Sequence, residues 1–130
     1  MHELALAAIF CTLMIRGTPE VSHPYSVGYD LHRIRVDCET ETQVIEVGLD
    51  KRSSIDSVHQ TVFAATLTGK SPMVLIIDTD GREDRYEFQI RTVAQTLGVA
   101  YKVLDRDYLI RWQMTEYLRN YHPVEIHPKS

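Results

Sequence analysis

The sequence predicts an α/β domain with a mixed central sheet of about five strands flanked by helices on both faces. Three observations carry that expectation. Met73 to Ile77 is an apolar run without alternation, the pattern of a strand covered on both faces. On either side of it, residues 55–67 and 82–97 place apolar side chains at helical spacing. Ahead of both, Tyr25 to Leu49 reads as three short strands with meander character.

Taken in order, Leu4 to Ile15 is an apolar run of about a dozen residues, which suits a buried helix or the apolar core of a signal peptide. His2 and Glu3 are poor substitutes for a basic leader and no small-residue cleavage pattern follows, so the helix is expected and export is the minor reading. The run is too short to span a bilayer, and a cytoplasmic protein without membrane contact is expected. Gly17 to Pro24 holds two prolines and reads as loop. Strands are expected at Tyr25 to Asp30, Leu31 to Cys38 and Val44 to Leu49. Ser53 or Ser54 would cap a helix carrying Ile55, Val58, Val62, Phe63 and Leu67, ended by Gly69. A strand from Pro72 to Asp78, a helix from Arg82 to Leu97 stopped by Gly98, and a strand from Val99 to Leu104 follow. Asp107 to Asn120 has helical spacing through Tyr108, Leu109, Trp112, Met114 and Leu118, and residues 121–130, with Pro123 and Pro128, form a frayed tail.

A chain of 130 residues that is 44% hydrophobic buries one core, so residues 1–130 are read as a single domain. A net charge of -4 argues against broad electrostatic binding to nucleic acid. It leaves room for a nucleic-acid enzyme, because a bound divalent cation offsets local carboxylates. Cys11 and Cys38 give neither a disulfide framework nor a zinc set, and Cys38 reads as a small buried hydrophobe. The histidines form no metal-spaced cluster. Tyr101, Tyr108, Trp112, Tyr117 and Tyr121 read as core and rim packing rather than base stacking.

The stretch Arg35 to Val47 is the most informative. With Glu39 to Thr42 as a turn, Cys38 faces Gln43, Asp37 faces Val44 and Arg35 faces Glu46. Alternation then puts Asp37 and Glu46 on one face, roughly 7 to 8 Å apart at Cα, where two carboxylates can converge on one hard cation. Ile34, Val36, Ile45 and Val47 would point the other way. On spacing alone, the same pattern also describes a solvent-facing hairpin with an Arg35–Glu46 ion pair.

Residues and element order together resemble the PD-(D/E)XK nuclease superfamily, whose core is a helix, a three-strand meander, a helix and a further strand. The matching residues are Asp37 in Arg35-Val-Asp-Cys38 and Glu46 in Val44-Ile-Glu-Val47. Gln60 stands where RecB-like members carry a glutamine, and Thr68 to Ile77 looks like the turn into the next core strand. The resemblance covers roughly residues 3 to 80 and implies a three-layer restriction-endonuclease-like core. It implies a metal-dependent nuclease hydrolysing DNA, with Mg2+, or Mn2+ as substitute, held by Asp37, Glu46 and the Val47 carbonyl. Gln60 would orient a ligand or contact nucleic acid. The family's lysine position is Gly48 here; Lys51 is the candidate relocated cation, with Arg52 behind it. If neither reaches the site, the chain is a catalytically silent module that binds nucleic acid or protein. So small a domain offers little surface for reading DNA, which suggests a homodimer or a partner protein.

A second motif, Val74 to Gly81, resembles the first motif of haloacid-dehalogenase-type phosphatases, with Asp78 as nucleophile and Asp80 as general acid/base. In that family the motif opens the domain and a long downstream stretch completes the site, unlike here. The plainer reading is a strand ending in an Asp-Gly turn.

Overall fold

The computed structural model describes residues 3–50 and 55–120. Helix α1 (Glu3–Ala8) runs on into a π-helical segment (Ile9–Met14), and five strands follow: β1 (Thr18–Val27), β2 (Asp30–Glu39), β3 (Gln43–Leu49), β4 (Ser71–Asp78) and β5 (Ala100–Asp105). Helix α2 (Ile55–Thr68) joins β3 to β4, and α3 (Arg85–Leu97) joins β4 to β5. Helices α4 (Arg106–Met114) and α5 (Glu116–Arg119) end the described chain. The sheet order is β1-β2-β3-β4-β5, antiparallel from β1 to β3 and parallel from β3 to β5. This is the expected α/β architecture.

Both faces of the sheet are covered. Leu6, Phe10, Ile45, Leu75, Ile77 and Leu109 pack between the sheet and α1, its π-helical extension and α4. On the other face Val58, Val74, Ile76, Ile90 and Ala94 pack beneath α2 and α3. Alternate residues of β4 therefore feed opposite layers, which is why its sequence shows no polar side. Where Pro72 brings no N–H to β4, the buried Thr61 hydroxyl of α2 lies 3.0 Å from the Val44 carbonyl and 3.2 Å from both the Met73 carbonyl and N–H. No described helix is long and apolar enough to cross a membrane.

Several expectations are corrected. Residues 18–24 form most of β1 rather than a loop, and both prolines are tolerated because β1 is the edge strand. The β1–β2 turn centres on Gly28 and Tyr29, so Tyr25 to Asp30 is not one strand. Helix α3 begins at Arg85, where Asp84 accepts N–H bonds from Tyr86 and Glu87. The C-terminal helix starts at Arg106 and breaks at Thr115. The tail from 121 lies outside the described residues.

The two cysteines are also paired rather than free. Cys11 and Cys38 form a disulfide with their Cα atoms 5.6 Å apart, because the π-helical segment crosses β2 at that level. Gly17 lies against this bond: a Cβ there would sit 2.8 Å from the Cys38 sulfur, so only glycine lets the chain turn into β1 so closely.

Candidate metal centre

Strand β2 loses its regularity at Asp37. Val36 packs with Val44 and Ala64 beneath α2, whereas Cys38 packs on the α1 side with Ile45 and Val47. Alternation is thus interrupted at Asp37, and Val36 does not share a face with Ile45 as expected. The β1–β2 ladder also skips the Glu20–Asp37 level, and Glu20 holds a left-handed backbone with φ 54°. Such a conformation costs a non-glycine residue about 1 to 2 kcal/mol, so it persists only where surrounding structure imposes it.

The β2–β3 register differs from expectation by two residues. Cys38 faces Ile45 and Glu39 faces Val44, because the turn is the shorter Thr40 to Thr42. Thr40 closes it, donating its N–H to the Gln43 carbonyl at 2.9 Å and accepting the Gln43 N–H on its hydroxyl at 3.0 Å. Lys70 braces the turn through a 2.7 Å bond to the Thr40 carbonyl and an ion pair to Glu39. Backbone pairing stops one step beyond Cys38, where the same register leads to Asp37 and Glu46. There the Asp37 carboxylate takes over, with Oδ2 accepting the Val47 N–H at 2.8 Å.

Glu46 is 4% exposed, and the Asp37 carboxyl is near enough to act on it electrostatically. Burial, reinforced by the negative charge of Asp37, pushes its carboxyl up to about 9 against the opposing charge of Arg35. Glu46 is therefore protonated at neutral pH, and its Oε1 has no hydrogen-bond partner. Two neighbouring carboxyls, one with an unused buried oxygen, form a donor set suited to a hard divalent cation. Asp37 and Val47 also line a cavity of about 180 Å³ against α1, together with Glu3.

The remaining candidates sit apart. Lys51 and Arg52 lie outside the described residues. Gln60 is exposed on α2 and lines a different cleft, of about 620 Å³, with Tyr25, Arg33, Arg35, His59 and Phe63. Arg35 joins the two regions, since its charge acts on Glu46 while its side chain lines the Gln60 cleft. Its ion-pair partner among the described residues is Glu20, at 3.8 Å.

In the second motif, Asp78 Oδ1 accepts the N–H groups of Asp80 and Gly81, and Asp80 Oδ1 accepts that of Arg82. These are turn-closing bonds, as the plainer reading has it. Sequence reasoning missed three acids: Glu3 in the α1 cavity, and Asp50 and Glu87 beside Asp78. Asp50, just past the end of a strand, and Glu87, in the first turn of a helix, carry no motif; only the fold brings them near Asp78. Burial, with Asp78 and Asp50 nearby, raises the Glu87 carboxyl to about 7.

No protein-family model, curated protein or solved structure matches the chain.

Proposed function

We propose that this protein is a divalent-metal-dependent nuclease hydrolysing DNA, built on a PD-(D/E)XK-like core. The observation that carries the reading is the meeting of Asp37 and Glu46 where β2 and β3 part. The element order supports it: helix, three-strand meander, helix, then a strand parallel to β3. Asp37, Glu46 and the Val47 carbonyl would hold Mg2+, or Mn2+ in its place. When bound, the cation would polarise the phosphate and acidify the attacking water.

The chain's own residues would do the rest. Asp37 is fixed by the Val47 N–H, so its second oxygen is presented in a set direction. Glu46 would have to give up its proton to serve as a ligand. Lys51 would supply positive charge for the developing phosphate anion. Gln60, with Arg33 and Arg35 beside it and Tyr25 and Phe63 offering ring faces, would contact the DNA backbone and bases.

A silent binding module is the second reading, favoured by Gly48 at the family's lysine position. In either case a homodimer would cover Met114, Tyr117 and Leu118, which are exposed near the described C-terminus; a monomeric mass by light scattering would count against it. In a reducing cytoplasm Cys11 and Cys38 would be held as thiols, so their redox state in cells reports the compartment.

The test is cleavage of supercoiled plasmid and labelled single-stranded DNA with Mg2+, Mn2+ or EDTA. Wild type is compared with Asp37→Ala, Glu46→Ala and Lys51→Ala. Metal-dependent cutting lost in both carboxylate variants is expected, and loss in Lys51→Ala identifies the relocated cation. Folded wild type that cuts neither substrate with either metal sinks the nuclease reading in favour of the silent module.

A further inference from the structure

Asp50 follows β3 directly, beside the end of β4, where Asp78 and Asp80 begin the turn toward Glu87 in the first turn of α3. One carboxylate oxygen from each of the four lies within 4.8 Å of the others. Clusters of acids occur on many surfaces without a ligand, but this one is not merely superficial. Glu87 is 3% exposed, and its Oε1 is buried with no hydrogen-bond donor. Among the described residues, no lysine or arginine pairs with Asp50, Asp78 or Glu87. A buried carboxylate without donor or counter-charge costs several kcal/mol, which a cation bound among the four would offset.

The bonds already present prepare such a site. Thr79 donates its N–H to Asp50 Oδ2 at 2.7 Å and its hydroxyl to Oδ1 at 2.9 Å, which fixes the Asp50 carboxylate. Asp78 is fixed through Oδ1 by the amides of Asp80 and Gly81. Asp84 holds the first turn of α3, and with it Glu87, through the N–H groups of Tyr86 and Glu87. Each oriented oxygen keeps lone pairs, and an all-oxygen donor set of this charge selects a hard divalent cation.

We propose that Asp50, Asp78, Asp80 and Glu87 form a divalent-cation site at the carboxyl ends of β3 and β4, separate from the Asp37–Glu46 centre. The separation follows from strand geometry: Asp50, the residue after β3, lies four residues beyond Glu46, roughly 13 Å along the strand direction. Two metals acting on one phosphate sit about 3.5 to 4 Å apart, so this cation is not the second ion of a shared reaction. It ties β3, the β4–α3 turn and α3 together. The inference does not rest on the nuclease reading.

Mn2+ binding to the full-length protein, followed by electron paramagnetic resonance and by thermal melting, tests it. The background is Glu46→Gln, which removes the first centre. That protein is expected to bind one equivalent of Mn2+ and to melt at higher temperature with it. Adding Glu87→Gln, or separately Asp78→Asn, is expected to weaken binding by at least about tenfold and to remove the shift in melting. Circular dichroism confirms folding, and the two variants guard against one failing to fold. Absence of Mn2+ binding by folded Glu46→Gln protein, or binding unchanged in both added variants, overturns the site. A nuclease assay that fails leaves this result unaffected.

Discussion

Replacing Glu46 by glutamine should make the metal-free protein more stable at pH 8, and the size of the gain follows from the burial of this one carboxyl. In the unfolded chain Glu46 titrates near the ordinary value of 4.5; in the fold its pKa is about 9. Between those values the folded state binds more protons than the unfolded state, so stability falls as pH rises. The slope is about 1.4 kcal/mol per pH unit for one proton. Stability from the protonated group is fully present below 4.5 and lost by about 9. From pH 5.5 to 8 the loss is about 3 kcal/mol. Glutamine keeps the shape, stays neutral and can donate its amide N–H to Asp37, so Glu46→Gln should escape this loss. Glu87 adds a similar slope up to about 7, but it is common to both proteins and cancels in the difference. Urea denaturation followed by circular dichroism at pH 5.5, 7 and 8 gives the comparison. The variant's advantage over wild type should grow by about 3 kcal/mol between pH 5.5 and pH 8. Parallel pH profiles for the two proteins would refute the reasoning, because they would show that Glu46 is ionised in the fold at little cost.

Thr61→Val should cost about 1 to 3 kcal/mol, since it leaves buried backbone groups at Val44 and Met73 without the hydroxyl; the urea midpoint checks it. Reducing the Cys11–Cys38 bond, or making Cys38→Ser, reopens a loop spanning 27 residues and should lower stability by about 3.5 kcal/mol; melting with and without reductant measures it, and an unchanged midpoint would show the bond is not formed. Asp84→Ala removes the cap of α3 and should cost about 1 kcal/mol in thermal unfolding.

The sheet and its layers were legible because their signals are local and redundant. The apolar run of β4 had the pattern of a strand covered on both sides, and Gly69 and Gly98 marked the ends of α2 and α3. The candidate centre was legible only in part. Asp37 and Glu46 were picked out by regular alternation across a hairpin, yet they meet through its failure, at a level where β2 switches faces and a carboxylate replaces a backbone partner. Periodicity cannot announce its own interruption. Edge position hid β1, whose prolines read as loop until the strand proved to have one side free of pairing. The disulfide was hidden because Cys11 and Cys38 are brought together only by the crossing of the π-helical segment over β2. Asp50 and Glu87 likewise become neighbours only once β3 and β4 lie parallel and α3 turns back over their ends.

Gly48 and the protonated state of Glu46 are two sides of one electrostatic arrangement. A lysine two residues after Glu46 on β3 would bring positive charge to the buried acid and lower its pKa. With glycine there, Arg35 is the basic residue among the described ones whose charge reaches Glu46, and burial outweighs it. The proton on Glu46 then supplies the neutralisation that such a lysine would otherwise share. A divalent cation taken up by Asp37 and Glu46 must displace that proton, so its apparent affinity rises with pH until Glu46 ionises in the free protein. This makes the relocated cation question sharper. Lys51 would serve hydrolysis only if its charge were felt at Glu46 with metal bound, whereas a silent module would need no such charge and could keep Glu46 protonated. A Glu46 that ionises on addition of Mg2+ at neutral pH would mark the enzyme, and one that keeps its proton with Mg2+ present would mark the binding module.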